Sequence, residues 1–152
     1  MTTTRVVDPR SPIGRLVNRE PVRVDDDATL AHAAAVMRDA NISSVLVGAH
    51  GSIATERDLA RALAGGLSTE TPVLAVSSRH PVRVVADLPL VDAAALMLNE
   101  EIRHLIIEFR DGSEGVISLR DIVAVLLQTA SPELWLSSLR MSVQLPTEIW
   151  LG

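Results

Sequence analysis

The chain has 152 residues, of which 47% are hydrophobic and 22% charged, a composition that supports a packed core in one ordinary domain or in two half-size ones. Its 2% aromatic content and net charge of −5 argue against a stacking platform for single-stranded nucleic acid and against a phosphate backbone or an anionic membrane as main partner. The absence of cysteine excludes disulfides, thiolate nucleophiles, iron–sulfur clusters and Cys-type zinc sites.

The N-terminus has no apolar stretch followed by a cleavage site, unlike a secretory signal. The most apolar run, residues 122–127, is far shorter than the roughly 20 residues that span a bilayer. We therefore expect a cytoplasmic protein whose partners include neither a membrane nor a nucleic acid.

An internal repeat with an offset of sixty residues organises the chain. Pro-Val-Arg-Val occurs at 21–24 and again at 81–84, and eleven of the 27 gap-free pairs between 21–47 and 81–107 are identical. Because two copies are too few for a solenoid, the pattern indicates a duplicated half-domain. We call the two copies the first repeat and the second repeat.

The first repeat predicts a strand, a helix, a hairpin of two strands and a second helix. Alternating valines indicate the strand, and Thr29 caps a helix that ends at Asn41, since asparagine tolerates left-handed backbone. Gly48 and Gly51 form the hairpin turn. The predicted ranges are 22–24, 30–40, 45–47, 52–55 and 56–64.

The second repeat predicts the same order of elements. Pro89 lies near the first turn of its first helix, whereas Glu101 is a poorer helix stop than an asparagine. Asp111 and Gly112 give its hairpin a stronger turn signal. The predicted ranges are 82–84, 90–100, 104–109, 115–118 and 119–129.

An apolar tail follows the second repeat. Pro132 suits the first turn of a short helix over 133–136, and the alternation from Leu139 to Leu145 predicts a strand that ends at Pro146. Such a tail must dock on its own module, on a second subunit or on another protein. We expect it to dock within a homodimer.

The two ordered sets of motifs resemble the tandem CBS domain, or Bateman module, from roughly Ile13 to Thr129. The resemblance implies an α/β (α+β) fold of two half-domains, each strand–helix–strand–strand–helix, packed sheet to sheet with pseudo-twofold symmetry. The residues that carry it are 21–30, 41–47 and 52–59 in the first repeat, and 81–84, 102–107 and 115–122 in the second.

This resemblance also implies an organisation along the chain. The expected segments are an N-terminal extension (1–12), CBS motif 1 (13–66), a linker (67–71), CBS motif 2 (72–130) and the apolar tail (131–152).

In the family, a Ser/Thr-x-x-Asp motif between hairpin and helix faces a ligand cleft. Its aspartate binds ribose hydroxyls and its hydroxyl side chain often lies near phosphate. The resemblance therefore implies Thr55 and Asp58 as ligand-binding residues in the first repeat, and Ser118 and Asp121 in the second. The same pattern also fits a capping box with a purely structural role, so both interpretations stay open.

Four basic residues are further candidates. In nucleotide-binding relatives, basic residues at the position of Arg103 and His104 contact phosphate, while the first repeat has two serines there. Arg57 and Arg120, beside the motif aspartates, could also reach phosphate. The alternatives are a solvated arginine, a histidine bonded at a strand start, and surface ion pairs of little energy.

The two candidate sites differ at one further position. Ser52 stands where the family commonly has glycine, as the second repeat does at Gly115. A side chain there would crowd an approaching adenine, since glycine permits close contact between backbone and ligand. We therefore expect Asp121 to mark the better site and Asp58 the poorer one.

The resemblance implies a regulatory, energy-sensing protein and not an enzyme. The expected ligand is AMP, ADP, ATP or S-adenosylmethionine, with no required cofactor, and the expected partners are a second copy and a regulated protein. The histidines show no paired metal spacing, and the acidic run 25–27 is interpreted as a solvated turn. The alternative function is a ligand-free dimerisation or scaffold module that acts through its C-terminal tail.

Overall fold

The computed structural model describes residues 8–49, 51–128 and 132–142. The chain divides into two compact units. The first-repeat unit comprises residues 21–81, and the second-repeat unit comprises residues 8–20 with the described part of 82–152. Each unit contains a three-stranded sheet whose central strand has one parallel and one antiparallel neighbour. The predicted mixed α/β fold class is confirmed.

The first-repeat unit has the predicted order of elements. Its sheet has the order β1-β2-β3, and its core contains apolar side chains from both helices and all three strands. The elements are β1 (Arg23–Val24), α1 (Leu30–Ala40), β2 (Ser44–Val47), β3 (Ser52–Thr55), α2 (Glu56–Ala64) and a 3-10 helix (Val73–Ala75).

The second-repeat unit repeats this order and adds one helix. Its sheet has the order β4-β5-β6, and a 3-10 helix (Ile13–Leu16) from the start of the chain belongs to the same unit. The remaining elements are β4 (Arg83–Val85), α3 (Leu90–Asn99), β5 (His104–Glu108), β6 (Glu114–Ser118), α4 (Leu119–Gln128) and α5 (Pro132–Ser142).

A segment before the first repeat, residues 8–20, packs into the second-repeat unit. Ile13 is fully buried in the core of that unit. Its backbone N–H donates to the carbonyl of Leu88 at 2.8 Å, and that of Gly14 donates to the carbonyl of Ala86 at 2.9 Å. The predicted segments 1–12, 13–66 and 72–130 stay a prediction about the sequence repeat. The compact units in space have other boundaries, which lie between residues 20 and 21 and between residues 81 and 82.

The first helix of each repeat is capped by backbone carbonyls of residues that lie outside the repeated elements. Leu90 and Val91, the first residues of α3, donate to the carbonyls of Ser11 and Pro9 at 2.8 and 2.9 Å. These bonds supply partners for first-turn N–H groups, which a helix cannot satisfy internally. The N-cap of α3 is Pro89, which provides no side-chain cap.

The first turn of α1 is capped by both a side chain and backbone carbonyls. The Thr29 hydroxyl accepts from the backbone N–H of His32 at 3.1 Å, as predicted for an N-cap. Leu30 and Ala31 donate to the carbonyls of Thr71 and Thr69 at 2.9 and 3.0 Å. The segment that joins the two repeats therefore holds the start of α1.

The first helices of the two repeats stop in the same backbone conformation with different residues. Asn41 follows α1 with φ 53°, and Glu101 follows α3 with φ 55°. Asparagine adopts this left-handed region at low cost, whereas a glutamate there is strained. The prediction that Asn41 ends its helix is confirmed, and Glu101 holds the corresponding position in spite of its side chain.

The predicted strand from Leu139 to Leu145 is wrong over residues 139–142, which belong to α5. Trp135 and Leu139, one helical turn apart, are 1% and 9% exposed and join the core of the second-repeat unit, whereas Met141 is 88% exposed. Burial thus follows a spacing of four residues and not alternation. Residues 143–152 lie outside the described residues.

The same two side chains correct the expectation about tail docking. Trp135 and Leu139 are buried within their own chain, so the prediction that the tail docks within a homodimer is wrong for this face of α5.

Among the described residues, none of the helices has both the length and the apolar character needed to cross a bilayer.

Candidate functional site

The junction between β3 and α2 forms a complete capping box. The Thr55 hydroxyl accepts from the backbone N–H of Asp58 at 3.3 Å. In return, Oδ2 of Asp58 accepts from the backbone N–H of Thr55 at 2.8 Å and from its hydroxyl at 2.9 Å. Asp58 is half-buried.

The junction between β6 and α4 has the same geometry. Oδ2 of Asp121 accepts from the backbone N–H and from the hydroxyl of Ser118, each at 2.8 Å, and the Ser118 hydroxyl accepts from the backbone N–H of Asp121 at 3.2 Å. Asp121 is exposed. The capping boxes predicted as a structural role are therefore present in both units.

The capping boxes occupy only one oxygen of each carboxylate. In the parts of the chain that the structure describes, Oδ1 of Asp58 and Oδ1 of Asp121 accept no hydrogen bond. Each Oδ2 is fixed by two bonds, so the direction of the carboxylate is set before any ligand binds. Such a carboxylate can accept hydrogen bonds from a vicinal diol.

The basic candidates of the second repeat lie at the same junction as Asp121. The carbonyl of Arg103 accepts from the backbone N–H of Leu119, the first residue of α4, at 2.8 Å. His104 opens β5 and pairs in register with Ser118. Arg120 is the second residue of α4, and both arginines are exposed. The structure thus brings Arg103, His104, Ser118, Arg120 and Asp121 together.

The first repeat builds a less basic version of this junction. The carbonyl of Ser43 accepts from the backbone N–H of Glu56, the first residue of α2, at 3.0 Å. Arg57 is exposed beside Asp58. Two serines here occupy the positions of Arg103 and His104, so this junction has less positive charge to attract a phosphate.

Gly115 has a role different from the one expected. A Cβ at residue 115 would lie 2.5 Å from Cγ1 and 2.7 Å from Cγ2 of Val17, so Val17 fills the space that the missing side chain leaves. The glycine therefore admits a segment of the same unit, and the argument that it leaves room for adenine does not hold. That Asp121 marks the better site stays a prediction.

The outer edges of the two sheets differ in a way that the sequence motifs did not indicate. In β3, the backbone N–H of Ile53 donates to the carbonyl of Ser78 at 3.1 Å, and its carbonyl accepts from the N–H of Ser78 at 2.8 Å. Val116 is the corresponding residue of β6, and no residue in the described part of the chain pairs with its outer edge. The parity of residues is the same in both strands, so the difference comes from the path of the chain at Ser78 and no local sequence signal indicated it.

A depression of about 530 Å³ lies in the first-repeat unit beside the acidic run 25–27. Arg23 donates from Nη1 to the carbonyl of Gly48 at 2.6 Å, and Gly48 has φ 65°. A Cβ at residue 48 would lie 1.7 Å from Oδ1 of Asp26, so glycine is required at this turn. Among the described residues, no group of three or more metal-ligating side chains could hold an ion.

The family model of the CBS domain matches residues 13–65 and 73–128. Among curated proteins, the CBS domain-containing protein YhcV of Bacillus subtilis is 32% identical over 103 residues, which span 65% of this chain and 74% of that protein. An uncharacterized 17.7 kDa protein of Acidianus ambivalens is 33% identical over 109 residues, 68% of this chain. The match spans 66% of that relative, slightly less than two thirds of its length.

Solved structures include a similar chain with a bound nucleotide. The CBS domain protein PAE2072 from Pyrobaculum aerophilum, complexed with AMP, superposes with a TM-score of 0.68 at 26% sequence identity. The superposition covers 79% of this chain and 98% of that one.

Proposed function

Because this chain belongs to the CBS domain family, we propose that it is a regulatory protein that binds an adenosine-containing ligand and signals to a partner by conformational change. The ligand class is AMP, ADP, ATP or S-adenosylmethionine. The relative from Pyrobaculum aerophilum that was solved with AMP supports this class. The proposal describes a cytoplasmic, energy-sensing protein with no catalytic activity of its own and no required cofactor.

The oriented carboxylate at each hairpin–helix junction is the observation that carries the proposal. Oδ2 of Asp121 is fixed by Ser118, and Oδ1 accepts no hydrogen bond from the described residues, so this oxygen can take a ribose hydroxyl. Asp58 with Thr55 provides the same arrangement in the first repeat. Ribose binding by these carboxylates would use the geometry that the capping boxes already impose.

Positive charge beside Asp121 supports phosphate binding in the second repeat. Arg103 and Arg120 are exposed at the start of α4, and His104 pairs with Ser118. The N-terminus of α4 adds its own partial positive charge. In the first repeat, Arg57 is the corresponding candidate.

Signalling requires that the ligand favour one arrangement of the protein over another, because only a difference in affinity shifts an equilibrium. We propose that the two arrangements belong to a homodimer. Val123 and Leu127, one turn apart on α4, are 44% and 80% exposed. Apolar side chains so placed favour contact with another protein surface over water.

Isothermal titration with AMP, ATP and S-adenosylmethionine tests the proposal on the wild type and on Asp58→Ala and Asp121→Ala. We expect saturable binding by the wild type and a loss of at least tenfold in affinity at the altered site. Each substitution also removes part of a helix cap worth about 1 kcal/mol. Thr29→Ala, which removes the cap of α1, is the matched control for that effect and should leave affinity unchanged.

The absence of saturable heat with every adenosine compound would overturn the proposal. In that case the second candidate, a ligand-free dimerisation or scaffold module, gains support. Leu136 and Met141 on α5, 39% and 88% exposed, favour this candidate because they leave two large apolar side chains in solvent near the end of the described chain. Ultraviolet absorbance from a co-purified nucleotide distinguishes the two candidates without any added ligand.

A further inference from the structure

Helix α5 is an element that this chain adds to the CBS repeat. The match to the CBS family model ends at residue 128, whereas α5 comprises Pro132–Ser142. The helix packs against α3 and α4 of the second-repeat unit, and its side chains Trp135 and Leu139 belong to the core of that unit. In the first repeat, α2 is followed instead by the segment that leads into the second repeat. Helix α5 therefore distinguishes one repeat from the other.

The sequence of α3 suits a helix that α5 covers. Eight of its ten residues are apolar, which is typical of a helix buried on most sides. Val91 and Ala94 of α3 are buried, whereas their counterparts in α1, Ala31 and Ala34, are exposed. Departure of α5 would therefore expose an apolar face of α3 to solvent.

Helix α4 connects α5 to the candidate ligand site. Its first turn contains Asp121, whose Oδ2 is fixed by the N–H and the hydroxyl of Ser118, and three residues separate its other end from α5. Of the apolar side chains of α4, Ile122 is buried, whereas Val123 and Leu127 are exposed. A helix that buries so little surface depends on each of its neighbours for its position, and α5 is one of them.

The docked position of α5 leaves one polar group unsatisfied. The indole N–H of Trp135 is buried and donates to no acceptor among the described residues. A buried donor without an acceptor costs free energy that water restores once the donor is exposed. The apolar contacts of Trp135 and Leu139 thus favour docking, and the unsatisfied donor opposes it. Such a balance is expected of an element that can leave its position while the rest of the unit stays folded.

We propose that α5 alternates between a docked and an undocked state and that the ligand bound at Asp121 favours the docked state through α4. A ligand held by Asp121 and Arg120 needs the first turn of α4 in place, and docked α5 helps to keep it there. The ligand therefore binds the docked state more tightly and shifts α5 towards it. Loss of the ligand shifts α5 towards the undocked state, which uncovers the apolar face of α3 for a regulated partner. This inference rests on the proposed function and names the element of each chain that responds to the ligand.

The first test measures hydrogen exchange of the backbone N–H groups of residues 133–142 in the wild-type protein with and without AMP. We expect α5 to exchange by local opening, and saturating AMP to slow that exchange at least about fivefold, the lower end of typical allosteric coupling. Asp121→Ala should abolish this effect of AMP. Asp92→Ala, the same substitution at an exposed residue of α3 in the same unit, is the matched control and should retain it.

Strand β5, at the centre of the sheet in the same unit, is the reference for unfolding of the whole unit. If α5 and β5 exchange at the same rate and AMP slows both equally, α5 opens only with the unit and the proposal is overturned. The same conclusion follows if AMP slows exchange of α5 equally in Asp121→Ala and in the wild type.

The second test disrupts docking and measures ligand affinity by isothermal titration, in an Asp58→Ala background so that only the second-repeat site contributes. Leu139→Asp places a charge on the buried face of α5 and so favours the undocked state. Because coupling between two sites is reciprocal, this variant should bind AMP more weakly by about the factor by which AMP slows exchange of α5. Leu136→Asp makes the same change in charge on the exposed face and should bind AMP with unchanged affinity.

The outcomes separate this inference from the proposed function. If the wild type binds AMP while exchange of α5 stays unchanged, or if Leu139→Asp binds AMP as tightly as Leu136→Asp, coupling through α5 is refuted and adenosine binding stands. If Leu139→Asp does not fold, hydrogen exchange of the wild type and of Asp121→Ala decides. If the wild type binds no adenosine compound, the proposed function fails and the coupling fails with it.

Discussion

Val17 and Gly115 form a packing contact that a double-mutant cycle can measure. In Gly115→Ala, the new Cβ would lie 2.5 and 2.7 Å from the two γ-methyl groups of Val17, closer than packed carbon atoms approach. Overpacking of this kind costs about 1–3 kcal/mol of the free energy of unfolding. Val17→Ala alone removes two half-buried methyl groups and costs about 1 kcal/mol.

The double variant separates this contact from other effects. Val17→Ala removes both atoms that the new Cβ would strike, so in the combined variant the methyl group added at residue 115 fills part of the space that Val17 leaves. We expect the double variant to be more stable than the sum of the single effects predicts, by about 1 kcal/mol or more. Each kcal/mol corresponds to a shift in Tm of about 2–4 °C for a chain of this size.

Urea denaturation of the four proteins, followed by circular dichroism, supplies the unfolding free energies. Gly14→Ala is the matched control, because the atoms nearest to a Cβ at residue 14 belong to Ala86, at 2.8 Å, and to Phe109, at 3.0 Å. It should destabilise the protein, and Val17→Ala should not rescue it. Simple additivity of Gly115→Ala and Val17→Ala would refute the packing described between the start of the chain and β6.

Three further predictions concern single positions. Glu101→Asn should stabilise the protein by about 1 kcal/mol and Asn41→Glu should destabilise it by a similar amount, because the backbone of both residues is left-handed. Thermal unfolding measures both effects, and no change in stability for either variant would contradict this reasoning. Trp135→Ala should lower the free energy of unfolding by about 3–5 kcal/mol, because it leaves a cavity in the core. Trp135→Phe should cost clearly less, because the phenyl ring fills most of that cavity and the indole N–H, which is buried without an acceptor among the described residues, is removed. Equal losses for the two variants in urea denaturation would contradict this. Hydrogen bonds from the Ser113 hydroxyl and N–H lower the pKa of Asp111 from its ordinary 3.8. The stability that Asp111 contributes is therefore complete above that value and is lost as the pH falls through the lower pKa of the folded state. The free energy of unfolding of Asp111→Ala should differ from that of the wild type at neutral pH and approach it in acid, which unfolding measured over a range of pH would show.

The repeat made most of the fold predictable. Short alternating runs and small apolar side chains at helical spacing are local signals, and each of the ten elements assigned to the two repeats is present. Thr29 and Asn41 were identifiable as the ends of α1 because capping and left-handed backbone depend on the residue itself. Agreement between the two repeats then strengthened each weak local signal.

The tail was misread because two periodicities overlap in it. Leu139 and Met141 fit an alternating pattern, whereas Trp135 and Leu139 fit a helical one. Only the position of the core decides between them, since Trp135 and Leu139 are the side chains that are buried. A sequence without its tertiary neighbours does not contain that information.

The residues of the candidate site were predictable from the sequence, but the pairing at the outer edges of the two sheets was not. The spacing of Ser118 and Asp121 indicated both a capping box and a ligand site, and the capping box is present. What distinguishes the two repeats is the pairing of Ile53 with Ser78, 25 residues away, and the lack of a described partner for Val116. Such non-local pairing depends on the path of the chain, which the repeat alone does not reveal.

The carbonyl caps of α1 and α3 determine how this protein can be divided for experiments. A fragment of residues 13–66 keeps every element of the first repeat but lacks Thr69 and Thr71, whose carbonyls hold the first turn of α1, and Val73, which is fully buried in the same core. A fragment of residues 21–81 keeps all three. Expression boundaries and labelled segments should therefore follow the compact units in space, and a cut at the end of the sequence repeat would leave the first helix without the carbonyls that complete it.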